Sequence, residues 1–289
     1  MGTSGTFGGS KLGLVPSWVD EPASDPAALP YGSGDGTQDD EPDGDGSTAP
    51  TPPTPTPYPS MPAIPAGSGL GVARGNMTRG ARTSDTSAVR RGAGQYVGAS
   101  GGGRATARRI PNSRAVAGRV AGLARSFANQ GPAEALRRFN LDGMAGAPAE
   151  DVFVALTDML CPAGATIDEA IARDAMLETV ADLAAAGVGN FDELSTDDLR
   201  EFFIGVVSRS IKGKILNEVG TNVVTIPDDV AGVERAQSML HDFVERCVRD
   251  EFEGHGTDLD DLDGNAIDSF VDDLYTAALD LIQTLGEAE

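Results

Sequence analysis

Apolar side chains recur at three- and four-residue spacing through the C-terminal part of this 289-residue chain. That period belongs to amphipathic helices packed on one another. Asn112 or Ser113 can cap a helix running to about Asn129, with Val116, Val120, Leu123 and Phe127 on one face and Arg114, Arg119 and Arg125 on the complementary positions. Val152, Ala155, Leu156, Met159 and Leu160 form a second stripe, stopped by Pro162. Thr166, followed three residues later by Glu169, is a capping-box signature. It opens a helix through Ile167, Ile171, Leu177, Val180 and Ala184 that ends near Gly187. Ser195 or Thr196 opens the next, with Leu199, Phe202, Phe203, Val206, Val207, Ile211 and Ile215 facing inward and a stop by Gly220. Pro227, Asp228 and Asp229 suit the first turn of a helix bearing Val230, Val233, Leu240, Phe243, Val244, Cys247 and Val248. A last helix carries Leu259, Leu262, Ile267, Phe270, Leu274, Ala278, Leu281 and Leu285, with a break near Gly264. Only residues 223–226 hint at extended backbone, so the pattern predicts an all-α fold.

The same reading finds no period in the first third. Residues 1–110 hold 21 of the 37 glycines and 13 of the 18 prolines, with too few large apolar side chains to offset the entropy of ordering them. The expected organisation has three parts: a disordered acidic and Pro-rich arm over 1–70, an Arg/Gly-rich disordered linker over 71–110, and an α-helical domain over 111–289. Residues 50–65 favour polyproline II and a semi-rigid spacer. One apolar island interrupts the arm: Leu12, Leu14, Val15, Trp18 and Val19. It reads either as a docking motif anchored by Trp18 or as a chance cluster.

Charge follows the same division. The formal charge of −22 separates into net −8 over 1–70, net +10 over 71–125 and net −24 over 126–289. The acidic C-terminal part repels nucleic acid, and only the arginine block attracts it. Arg74, Arg79, Arg90, Arg91, Arg108 and Arg109 are the candidate phosphate contacts, with a steep salt dependence if they act as such. Tyr96 is the only aromatic side chain there. The alternative is that the block folds back on the acidic remainder.

Catalytic chemistry is sparsely supplied. His241 and His255 have no second histidine at helical zinc spacing. Cys161 and Cys247 can form neither a disulfide framework nor a multi-cysteine metal site. Asp258, Asp260, Asp261 and Asp263 before Gly264 miss calcium-loop register, because Leu259 stands where the first ligand belongs. Asp39, Glu41, Asp43 and Gly44 miss it at Pro50, where a bidentate Glu is required. No phosphate-binding loop, dinucleotide fingerprint or nucleophile elbow is present in the required context. The expectations are therefore no catalytic residue, no metal, no cofactor of its own and no enzyme activity. No apolar run is long enough to span a membrane, and no secretory h-region is seen, so the expected location is cytoplasmic.

The start of the chain carries the sharper signal. Met1 before small Gly2 is a substrate for aminopeptidase removal, which leaves a glycine α-amine with a pKa near ~8. The segment Met1-Gly2-Thr3-Ser4-Gly5-Thr6 also fits a myristoylation pattern.

Several stretches together resemble the QatB family of bacterial anti-phage defence operons. They are Met1-Gly2-Thr3-Ser4 with the glycines and Lys11 that follow, the Pro16/Trp18 island, and the glycine- and arginine-rich lead into the helices. Above all there is Leu160-Cys161-Pro162-Ala163-Gly164 with Thr166-Ile167-Asp168-Glu169-Ala170-Ile171-Ala172-Arg173. The resemblance implies a non-enzymatic component that works beside an ATPase (QatA), a QueC-like protein (QatC) and a TatD-like nuclease (QatD). It implies QatC as a partner, with QatA as a second. Combined with the free amine, it makes Gly2 the expected acceptor of a 7-deazaguanine, with Thr3, Ser4 and Trp18 contacting the partner. The only prosthetic group implied is that deazaguanine, carried covalently at the N-terminus.

Overall fold

Ten α-helices carry the described residues of the computed structural model, which are 69–161, 166–220 and 230–288. All of them lie in one unit, Pro57–Glu289. In chain order the helices are α1 (Leu70–Thr83), α2 (Thr86–Ala99), α3 (Gly103–Ala107), α4 (Pro111–Gln130), α5 (Pro132–Arg137), α6 (Ala149–Leu160), α7 (Ile167–Ala185), α8 (Thr196–Gly220), α9 (Val230–His255) and α10 (Ile267–Glu287). The all-α expectation holds, and no strand occurs among the described residues. The arm expected over 1–70, including its polyproline stretch, lies outside the described residues up to 68. So do the extended hint at 223–226 and the first helical turn expected at Pro227.

The helix starts follow the residues that satisfy their open N–H groups. Thr166 Oγ1 accepts from Glu169 N at 3.2 Å, and Glu169 Oε2 accepts from Thr166 N at 3.0 Å. Ser195 and Asp198 make the equivalent reciprocal pair ahead of α8. The inward face predicted for α8 is buried throughout, from Leu199 to Ile215. Around it one core gathers Phe153 stacked on Phe202 at 4.1 Å, Phe191, Phe203, Phe270 and the apolar face of α10. Met159, Ile167, Val230 and Leu285, placed on buried faces by spacing, sit in terminal turns of their helices and are exposed, and so is Leu177 in the middle of α7. The last helix begins only at Ile267, because α9 ends beside Gly256 in the left-handed region (φ 63°) and the chain turns through the following acidic residues. Leu259 and Leu262 are buried all the same, from that turn rather than from a helix.

The disordered linker expected over 71–110 is overturned. Those residues form α1, α2 and α3, and Ala73, Val89, Ala93, Tyr96, Val97 and Ile110 are fully buried. The glycines read as chain breakers instead let helix backbones approach closely. A Cβ on Gly94 would stand 2.9 Å from Gly286 Cα and 3.0 Å from Gln283 O of α10. One on Gly92 would stand 3.1 Å from Ala73 O of α1, and one on Gly103 would stand 2.5 Å from Thr276 O. Glycine costs a helix roughly 0.5–1 kcal/mol relative to alanine, which tight packing of two backbones can offset.

Candidate functional site

The arginine block is built into the body of the protein. Glu218, near the C-terminal end of α8, is the hub. Its carboxylate lies 3.6 Å from Arg109 Nη1 and 2.7 Å from Lys214 Nζ, and it accepts from the Tyr96 hydroxyl at 3.3 Å. Arg74 Nη2 donates to the Glu218 carbonyl at 3.1 Å, where a cation suits the negative end of the helix dipole. Burial pushes the Tyr96 phenol well above its ordinary range, and the neighbouring Glu218 pushes the same way. Arg90 lies over the Phe243 ring at 5.5 Å, and Arg91 faces Asp85 at 3.7 Å. Of the six candidate phosphate contacts, the structure thus joins Arg74 and Arg109 on Glu218, gives Arg90 and Arg91 other partners, and leaves Arg79 and Arg108 exposed.

The next arginines act on carbonyl groups. Arg119 of α4 donates to Leu160 O at 2.6 Å, and Arg173 of α7 donates to Cys161 O at 2.9 Å. Both satisfy the open C-terminal end of α6, so the Leu160-Cys161 segment is held from two sides. Arg125 donates to Leu262 O at 2.5 Å and fixes the turn before α10. Asp168 is 3 % exposed and accepts from Asn112 N at 2.6 Å and from Ser113 Oγ at 2.9 Å. It caps the start of α4 from the first turn of α7. Ser113 O is in turn approached by the buried Tyr275 hydroxyl, which sits 2.7 Å from Ser210 Oγ. The motif that carries the family resemblance is therefore a junction where α4, α6 and α7 meet. Residues 162–165 lie outside the described residues.

Spacing did not reveal the groove over α8 between α7 and α9. It encloses about 310 Å³ and is floored by Phe202 and Gly205. Buried Arg209 pairs with Asp182 and lies 3.6 Å from Glu178, which also accepts from Lys212 at 2.6 Å. On the α9 side, Arg249 grips Glu201 with two bonds of 2.6 and 2.7 Å and reaches Glu245 at 2.9 Å. His241 Nε2 stands 3.6 Å from Glu245. Burial, reinforced by Arg209 and Lys212, lowers the His241 pKa below the ordinary imidazole value, so the ring is neutral near pH 7. Each of these carboxylates faces a cation, and the arrangement braces three helices. Within one helix, only Glu245 four residues after His241 and four before Arg249 was open to sequence reasoning; the cross-helix pairs had no local signal.

The two cysteine thiols are quenched. Cys161 and Cys247 are both buried, and burial pushes their thiols up to about 11 and about 12. Such groups carry little thiolate at neutral pH. His255 is the last residue of α9 and packs edge-on against Phe270 at 5.3 Å. Among the described residues, no three His, Cys, Asp or Glu side chains converge to hold a metal, and no helix is long and apolar enough to cross a membrane. Gly2, Thr3, Ser4 and Trp18 lie outside the described residues.

A family model described as "Qat anti-phage system associated protein QatB" matches residues 101–282, from just before α3 to near the end of α10. No curated protein and no solved structure matches the chain.

Proposed function

Because this chain belongs to the QatB family and is thereby a component of an anti-phage defence system, we propose that it is a non-catalytic subunit whose N-terminus is the substrate of a QueC-like partner. The observation that carries this reading is the match of residues 101–282 to a family of that system, joined to the Met1-Gly2-Thr3-Ser4 start. The helical body holds the partner, QatC, with the ATPase QatA as a second contact, and the protein acts in the cytoplasm. Thr3, Ser4 and Trp18 contact the partner around the reacting end.

The chemistry is amide formation. The partner joins the carboxylate of a 7-deazaguanine to the α-phosphate of ATP and releases pyrophosphate. The Gly2 nitrogen, freed by removal of Met1, attacks the acyl carbon. A C–N bond forms, the C–O bond to AMP breaks, and the amine proton passes to solvent. Ammonia is the ordinary acceptor for that enzyme class, and a protein α-amine is the same kind of nucleophile. The buried thiols of Cys161 and Cys247 support a subunit that is acted on rather than one that acts. The partners found by Arg74, Arg90, Arg91 and Arg109 within the body favour this reading over a nucleic-acid adaptor.

The test is the mass of the full-length chain produced with its neighbouring gene products. The expected result is an added deazaguanine acyl group on the peptide that begins at Gly2, and its loss when QatC is omitted. An unmodified Gly2 peptide in the presence of an active partner rules the conjugation out.

A further inference from the structure

The groove over α8 continues past the cavity floored by Phe202 and Gly205 into a second one of about 400 Å³, and the two share Asp182, Arg209 and His241. α7 and α9 both pack on α8 and scarcely on each other, so α8 forms the floor between them. That floor runs from Asp198 to Lys212, about 21 Å at a rise of about 1.5 Å per residue, or room for about four turns of a further helix. The walls are uncharged between rim and floor: Ala181, Leu183 and Ala186 on the α7 side, Gln237 and Ser238 on the α9 side. Six carboxylates ring the groove, those of Glu178, Asp182, Asp198, Glu201, Glu234 and Glu245. Arg209 and Lys212 in the lining and Arg249 behind Glu201 and Glu245 are its cations. Asp182 and Glu178 keep 66 % and 51 % of their side chains exposed despite their pairs. Glu234 is exposed and makes no ion pair among the described residues. His241 Nε2 is beyond hydrogen-bond distance of Glu245 at 3.6 Å, and Nδ1 is buried without a partner, so this wall holds a polar ring that nothing in the body satisfies.

We propose that this groove is the docking site for a basic amphipathic helix of a partner protein. A helix seated on α8 lays its apolar stripe between Ala181, Leu183 and Ala186 over Phe202. Lysine or arginine on its two flanks then meets Glu178 and Asp182 on one rim and Glu234 and Glu245 on the other. The occupant is a helix rather than an added strand, because the walls are helices whose backbone groups are already paired and offer no sheet edge. Charge selects a foreign basic segment. The first 70 residues of the chain are net −8 and a second copy is net −22, and an acidic groove repels both, as it repels nucleic acid.

Fluorescence anisotropy with the full chain tests this, using a labelled helical peptide of about 14 residues that carries an alanine–leucine stripe flanked on both sides by lysine. Saturable micromolar binding is expected, weakening several-fold between about 50 and about 300 mM salt. Ala181→Trp and Ser238→Trp fill the groove from exposed wall positions without changing any charge, and each is expected to weaken binding at least about tenfold. Ala170→Trp, exposed on α7 away from the groove, is expected to stay within about twofold. Thermal melts confirm that the variants fold, and Ser238→Trp carries the test if Ala181→Trp melts early. Absence of saturable binding overturns the proposal. So does a groove tryptophan that leaves affinity within about twofold of the unaltered chain, or an equal loss from Ala170→Trp, which marks diffuse attraction to an acidic surface. Sedimentation of the unaltered chain supplies the remaining arm: a self-associated species that Ala181→Trp converts to monomer gives the groove to a second copy and overturns the proposal as well.

Discussion

Gly94→Leu is expected to lower the unfolding free energy by about 3–4 kcal/mol. At Gly94 the backbones of α2 and α10 meet with no side chain between them: even a Cβ would stand 2.9 Å from Gly286 Cα and 3.1 Å from Gly286 C. The obstacle is main chain, which cannot rotate aside, so an isobutyl group drives the two helices apart. The contacts of Ala93, Val97 and Ile282 with the core are lost with them. For a domain of this size each kcal/mol moves the thermal midpoint by roughly 2–4 °C, so a fall on the order of 10 °C is expected in a calorimetric or circular-dichroism melt. Gly71→Ala and Gly75→Ala serve as counterparts within α1, since nothing lies within 4 Å of a Cβ at either position. There the same loss of glycine should stabilise by about 0.5–1 kcal/mol, because the unfolded chain has less freedom to lose. A melt in which Gly94→Leu leaves the midpoint unmoved would mean that α2 does not pack on α10 as described.

Asp168→Ala is expected to cost about 3 kcal/mol, the loss of two hydrogen bonds to a buried carboxylate. The carboxylate spans the first turns of α4 and α7, accepting from Asn112 N and Ser113 Oγ. Removing it strands a backbone N–H and a hydroxyl where water has little access; the Ser113 side chain is buried with it. Ser113→Ala removes one bond and no charge, and about 1 kcal/mol is expected. Urea unfolding of the two single variants and the double variant gives the coupling energy directly. Strict additivity would show that Asp168 does not act through Ser113. The lesion separates stability from conjugation, because it leaves residues 1–11 intact.

The bodies of α4, α6, α7, α8 and α9 were legible because their information is local, whereas Asn112 and Ser113, expected as caps, lie inside α4, which starts at Pro111 with Asp168 as its capping carboxylate, and α5 gave no signal. Thr166 and Glu169, or Ser195 and Asp198, satisfy each other's backbone within four residues, and the Leu199 to Ile215 face of α8 repeats at the helical period. The region 71–110 was misread for the opposite reason. Glycine raises chain freedom wherever it stands, and composition cannot tell a flexible Gly94 from one pressed against a partner near the other end of the sequence. The arginines pose the same problem. As a row of charges they resemble a phosphate-binding strip, yet Arg74 and Arg109 acquire their meaning only when α8 brings Glu218 to them.

The sequence by itself determined that the body is helical and where α7 and α8 begin, because caps and periods act over a few residues. Tertiary structure alone decided that the glycine- and arginine-rich block belongs to the body, that Asp168 locks α7 to α4, and that Glu218 gathers Arg74, Tyr96, Arg109 and Lys214. Those outcomes depend on atoms far apart along the chain arriving within a few ångströms, and burial then sets what each charge and each missing side chain is worth.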